Sequence, residues 1–268
     1  MSGVSKAFQM TTRFVPKGKY MQIIISPAKK MRTDTDSFDC QGLPVFIRQA
    51  EQLVQKLQSM TPDQLRALWK CNDQILQQNI QRLEKMNLRS GLTPAILAYD
   101  GIQYQYMAPG VFTDAELIYI QKHLRILSGL YGVLRPFDGV TPYRLEMQAK
   151  LQVNGQKDLY AYWGRQIADQ LSAESSWILN LASKEYSRCV SRYLKDTMMI
   201  TCIFAQQTNG KLVEKGTLCK MARGEMVRYL AENQINTPEG VRAFDRLGYR
   251  YLPEKSTEQT YLFIKEEK

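Results

Sequence analysis

The stretch MMITCIFAQQTNGKLV, residues 198–213, holds two strand-like runs, Met198 to Gln206 and Lys211 to Val213, around Thr208-Asn209-Gly210. Asn-Gly accepts the left-handed dihedrals of a type I′ turn, so the stretch reads as an antiparallel hairpin. Helical patterns lie on both sides of it without a strict βαβ alternation. The fold class that follows is mixed α/β (α+β), a mixed sheet covered by helices.

Working outward, Met21 to Ile25 is a β-branched run stopped by Ser26-Pro27, which places Lys29 and Lys30 in a loop at a strand's carboxyl end. Residues 44–59 carry apolar side chains at helical spacing, and Thr61-Pro62 opens another helix with threonine as cap. Ala95 to Tyr99 reads as a short strand. Thr113 with Glu116 forms a capping box for a helix running to about Leu127. An amphipathic helix follows from Lys157, then a buried strand over Trp177 to Leu181, with Ser183 placed to cap the next helix. A last helix spans about Thr217 to Asn233, and Arg250 to Leu252 and Tyr261 to Lys265 read as two final strands. No repeat or Pro/Gly-rich linker divides residues 21–268, which read as one domain, whereas residues 1–20 read as an upstream-start extension or a basic arm.

The chain has 268 residues, 44% of them hydrophobic, and a formal net charge of +10 from 36 Lys and Arg against 26 Asp and Glu. That excess points to polyanions as partners. No apolar run approaches the roughly 18 residues of a membrane span, and no signal-peptide core is present, so a cytoplasmic protein is expected. Five scattered cysteines without a CxxC pair, and one histidine, His123, argue against a zinc, haem or iron site. No metal and no cofactor are expected.

Four constellations are candidates for chemistry. Leu127 to Val133 carries two glycines and reads either as a helix-hairpin-helix, whose amides would meet a phosphate, or as an αα-corner capped by Gly129. Arg125 and Arg135 flank it. Lys184, Arg188 and Arg192 recur every fourth residue, giving one cationic helix stripe that suits a polyanion or is simply a solvated face. Lys220 and Arg223 lie on the last long helix beside Gly224, whose mid-helix cost of about 1 kcal/mol asks for tight packing or a ligand. Arg144 and Glu146 share one side of an extended segment, a spacing that suits a phosphate-binding arginine oriented by a carboxylate, or a structural ion pair. No Ser/His/Asp set, P-loop or GxGxxG is present.

Six strings, IIISPAKK (23–30), HLRILSGLYGVLRPFD (123–138), PYRLEM (142–147), KDLYAYWG (157–164), LNLASKEYSRCV (179–190) and KMARGEMVRYL (220–230), together resemble the YaaA family of bacterial peroxide-stress proteins. The resemblance implies a family-specific fold with a positively charged cleft and a helix-hairpin-helix. It also implies binding to duplex and branched DNA in oxidative-stress defence and repair. Carried onto this chain, the hairpin is Ser128 to Arg135, with Ser128, Gly129, Leu130, Tyr131 and Gly132 at its turn, and Lys29, Arg144, Lys184, Lys220 and Arg223 fall near the cleft. Two positions depart from the pattern: Lys30 replaces a small hydroxyl residue and Lys184 an acidic one, both adding positive charge. The expected function is sequence-independent DNA binding. The alternative is an enzyme acting on DNA or a nucleotide through Lys29, Arg144, Glu146 and Arg223, with Lys29 and Glu146 as its catalytic candidates.

Overall fold

The computed structural model describes residues 20–208 and 211–265. Strand β1 (Tyr20–Ile25) is buried from Met21 onward on both faces, Gln22 included, as a strand at the centre of a parallel sheet should be. Helices α1 (Ile47–Gln58), α2 (Pro62–Trp69) and α3 (Asp73–Glu84) follow. The Thr61 cap of α2 is a full capping box closed by Gln64. Ala95 to Ala98, expected in a strand, forms the one-turn helix α4 (Ala95–Ala98) instead, flanked by two-residue ladders. Next come α5 (Ile102–Met107) and α6 (Asp114–His123), the latter opened by the Thr113–Glu116 box.

Helix α6 ends at His123, four residues short of the expected Leu127, and the chain continues directly as β2 (Leu124–Ser128) and β3 (Gly132–Leu134). These two pair antiparallel, with Ser128 opposite Gly132. The helix-hairpin-helix and the αα-corner are thus both replaced by a β-hairpin. Residues 124–134 are buried throughout, and an all-buried run shows no periodicity that separates strand from helix. Gly132, at φ +72°, makes the turn, and a Cβ there would stand 2.9 Å from the Trp163 ring.

The helix expected from Lys157 divides at Gly164 into α7 (Leu159–Trp163) and α8 (Gln166–Glu174). Strand β4 (Ser175–Asn180), helix α9 (Lys184–Ser191) and strands β5 (Met199–Thr208) and β6 (Lys211–Val213) follow, with β5 and β6 antiparallel as the opening stretch implied. The Asn209-Gly210 turn lies outside the described residues, as does the segment 1–19. Helices α10 (Gly216–Glu232) and α11 (Pro238–Arg242) and strands β7 (Tyr249–Tyr251) and β8 (Thr260–Lys265) complete the described residues.

The sheet has eight strands in the order β7-β8-β5-β4-β1-β2-β3, with β6 on the end of β5. Strands β8, β5, β4, β1 and β2 run parallel, and β7, β6 and β3 are antiparallel additions. From β1 the chain passes to β2 on one side, then returns to place β4 on the other. The order therefore reverses between β1 and β4, and in open α/β sheets the crevice beyond the carboxyl ends of such a strand pair is where ligands bind.

Candidate functional site

At the carboxyl ends of β1 and β4 the two chains are tied together. Leu181 N–H donates to the Ile24 carbonyl at 2.9 Å, and Ser183 N–H donates to Ser26 Oγ at 2.8 Å. The Ser26 hydroxyl in turn donates to Ser183 Oγ at 3.2 Å, and Tyr104 OH holds the Ser26 carbonyl at 3.0 Å. Ser183 is the N-cap of α9, as expected, but its side chain makes no capping bond because it is engaged with Ser26. The positive end of α9 thus opens beside the loop that carries Lys29.

The extended segment 142–148 crosses this crevice. Glu146 Oε2 meets Lys29 Nζ at 3.0 Å, and Glu146 Oε1 accepts from Arg144 Nη2 at 3.3 Å. Lys29 is 66% exposed while Glu146 and Arg144 are 19% and 13% exposed, so the carboxylate joins an open cation to a largely buried one. Arg144 Nε is buried and has no protein partner. Glu185, on the first turn of α9, accepts the Gln148 N–H at 3.2 Å. Burial holds its carboxyl above the usual range, and the Glu146 charge adds to this against the backbone amides and Lys29. Beneath, the hydroxyls of Tyr99, Tyr143 and Ser128 form a buried chain with steps of 2.9 and 2.7 Å, and the Tyr131 N–H donates to Ser128 Oγ.

The structure brings together Lys29, Arg144, Glu146 and the α9 terminus bearing Lys184, and adds Glu185 and Ser26, which sequence reasoning missed as site residues. The signal for Glu185 was the string ASKEY soon after a buried strand, and for Ser26 its place directly after the β1 run. Arg188 is exposed further along α9, its guanidinium 5.1 Å over the Tyr160 ring. Arg223 sits on another wall, where Cys219, Glu214 and Cys202 act on it, burial lowers its pKa, and Nε lacks a partner. Lys220 is exposed on the same helix. Gly224 has a packing reason: a Cβ there would reach within 3.0 Å of the Met107 amide nitrogen on α5.

The turn residues differ from expectation. Ser128, Gly129, Leu130, Tyr131 and Gly132 are buried in the sheet, and a Cβ on Gly129 would collide with the Leu145 carbonyl. The Tyr131 amide is taken up by Ser128 Oγ at 2.9 Å. Arg125 is buried against Glu174, which also binds Arg135, so both arginines stand apart from the β1/β4 crevice. Among the described residues no group of three or more His, Cys, Asp or Glu could hold a metal ion, and no helix is long and apolar enough to cross a membrane.

A family model described as peroxide stress protein YaaA matches residues 21–255. The chain belongs to the YaaA family. A UPF0246 protein of Agathobacter rectalis is 52% identical over 245 residues, 91% of this chain and 98% of that protein. One from Lachnoclostridium phytofermentans is 51% identical over 248 residues, covering 92% of this chain and 97% of the relative. In this YaaA-family chain the matched span begins at Met21, in the strand whose carboxyl end carries the Ser26–Ser183 junction.

Proposed function

We propose that this YaaA-family protein acts in peroxide defence by binding duplex and branched DNA through its phosphates, with little dependence on sequence. The observation that carries the reading is the outer stripe of α9 and its extension. Lys184, Arg188 and Arg192 are all exposed, and among the described residues none of them enters an ion pair. At about 1.5 Å per residue the stripe is roughly 12 Å long, room for several consecutive phosphates of one strand. The uncapped start of α9 adds favourable potential at the Lys184 end. Lys29 extends the cationic face across the crevice, and Lys220 and Arg223 supply further charge on α10. Contacts of this kind position a duplex without reading its bases. Replacing Lys184, Arg188 and Arg192 by alanine should weaken duplex binding; unchanged affinity in a folded variant would defeat the reading.

The location of Lys29, Arg144, Glu146 and Glu185 at the β1/β4 reversal favours a second reading, an enzyme acting on DNA or a nucleotide. It predicts turnover of labelled branched or damaged DNA in the presence of Mg²⁺. Absence of product across such substrates would count against it.

A further inference from the structure

A separate cavity of about 210 Å³ opens near the amino end of β2, where Arg125, Arg135, Asp138 and Glu174 converge. Arg125 is engaged through all three of its nitrogens. Its Nε and Nη2 donate to Glu174 Oε2 at 3.0 and 2.7 Å, and its Nη1 reaches the carbonyls of Gln121, Lys122 and Leu124. Glu174 is likewise satisfied, its other oxygen accepting from Arg135 Nη2 at 3.1 Å and Gln170 Nε2 at 2.6 Å. Arg135 is different: its side chain is 40% exposed and uses only that one bond, which leaves the rest of its planar donor set open. Asp138 is buried and accepts the Arg135 N–H at 2.8 Å. The remaining walls are apolar, with Leu43 and Val45 exposed at 38% and 53% and Leu171 buried.

We infer that this cavity binds a small carboxylic acid with a short apolar tail, its carboxylate on Arg135 and its tail against Leu43, Val45 and Leu171. A guanidinium presents paired donors that match a carboxylate. With Glu174 neutralised by Arg125, one positive charge remains for the ligand when Asp138 is protonated, which suits a monoanion over a phosphate dianion. Burial pushes the Asp138 carboxyl up to about 7, against the pull of the Arg135 amide and the charges of Arg135 and Arg125, with Glu174 adding to the rise. A ligand carboxylate beside it favours the protonated form further, so binding draws a proton. The ligand-competent fraction falls about tenfold between pH 6 and pH 8, and affinity falls with it.

The test is a titration of the full chain with sodium isovalerate, followed by NMR at the methyl groups of Val45 and Leu171, at pH 6 and pH 8 with inorganic phosphate in parallel. The expected result is saturable shifts at pH 6, about tenfold weaker binding at pH 8, and weaker or no response to phosphate. Arg135→Gln should abolish the shifts, and Asp138→Asn should bind equally at both pH values. No saturable shift at pH 6, a preference for phosphate, or the same affinity at both pH values in the unmodified chain would overturn the inference, whatever the variants do.

Discussion

Ser26 Oγ accepts the Ser183 N–H at 2.8 Å, joining the first residue after β1 to the cap of α9. Together with the Leu181–Ile24 and Tyr104–Ser26 bonds it holds the points where two loops leave the sheet, so that Lys29 and Lys184 emerge on either side of a single crevice. Ser26→Ala leaves a half-buried amide without its acceptor, a change worth about 1–3 kcal/mol. A urea titration should show that loss, with Ser26→Thr close to the unmodified chain; equal stability of the alanine variant would mean that the junction is incidental.

Gly224→Ala tests the approach of α10 to α5. The added methyl meets the backbone of Gln103 and Met107, which cannot swing aside as a side chain can. Overpacking of this kind costs about 1–3 kcal/mol or more, overriding the helix-propensity gain of about 1 kcal/mol from glycine to alanine. Lower stability by thermal or urea unfolding is expected, and a stabilised variant would contradict the packing described.

Asp138 should make stability fall as pH rises. Its folded pKa of about 7 lies above its ordinary value of 3.8, so the stabilisation from the protonated carboxyl is complete below about pH 4 and is lost as pH climbs to 7. A rise of about three pH units corresponds to about 4 kcal/mol. Asp138→Asn, still able to accept the Arg135 N–H, removes this dependence, so its urea midpoint should gain on the unmodified chain between pH 4 and pH 7. Parallel profiles would show that Asp138 titrates normally.

His123 acts in the opposite direction. Burial lowers its pKa from 6.5 to about 4, with its Nδ1 2.8 Å from the Met21 carbonyl. The unfolded chain takes up a proton below pH 6.5 that the folded chain refuses until about pH 4, so stability drops as pH falls through that window. In the Asp138→Asn background, where the competing slope is gone, unfolding should show this acid-side loss. A flat profile there would mean that the ring is solvated.

Much of this architecture was legible in the residues. The run ending in Ser26-Pro27, the cap at Thr61, the capping box at Thr113, and the pairing of Met199–Thr208 with Lys211–Val213 all follow from local rules that need no tertiary knowledge. The pairing of Arg144 with Glu146 was legible for the same reason, since both lie on one short extended segment. The hairpin at Ser128 to Gly132 was not, because LRILS is buried on both faces of an interior strand and so carries no alternation that separates it from a helix. Arg125 misled for a related reason: its neutralising partner, Glu174, is 49 residues away in sequence and only the fold reveals it. The role of Ser26 likewise depends on a strand order that no local pattern encodes.

Binding of DNA phosphates by the α9 face is the proposal on which the functional reading depends. Its most direct test is fluorescence anisotropy of a labelled duplex and a four-way junction, at low and near-physiological salt, with the unmodified chain and with Lys184→Ala/Arg188→Ala/Arg192→Ala. Saturable binding that weakens steeply with salt is expected, with a triple variant whose log–log salt slope is shallower by up to about 3, near 0.9 for each phosphate that is no longer neutralised. No binding at low salt, or a triple variant with the same affinity and slope as the unmodified chain, would contradict it.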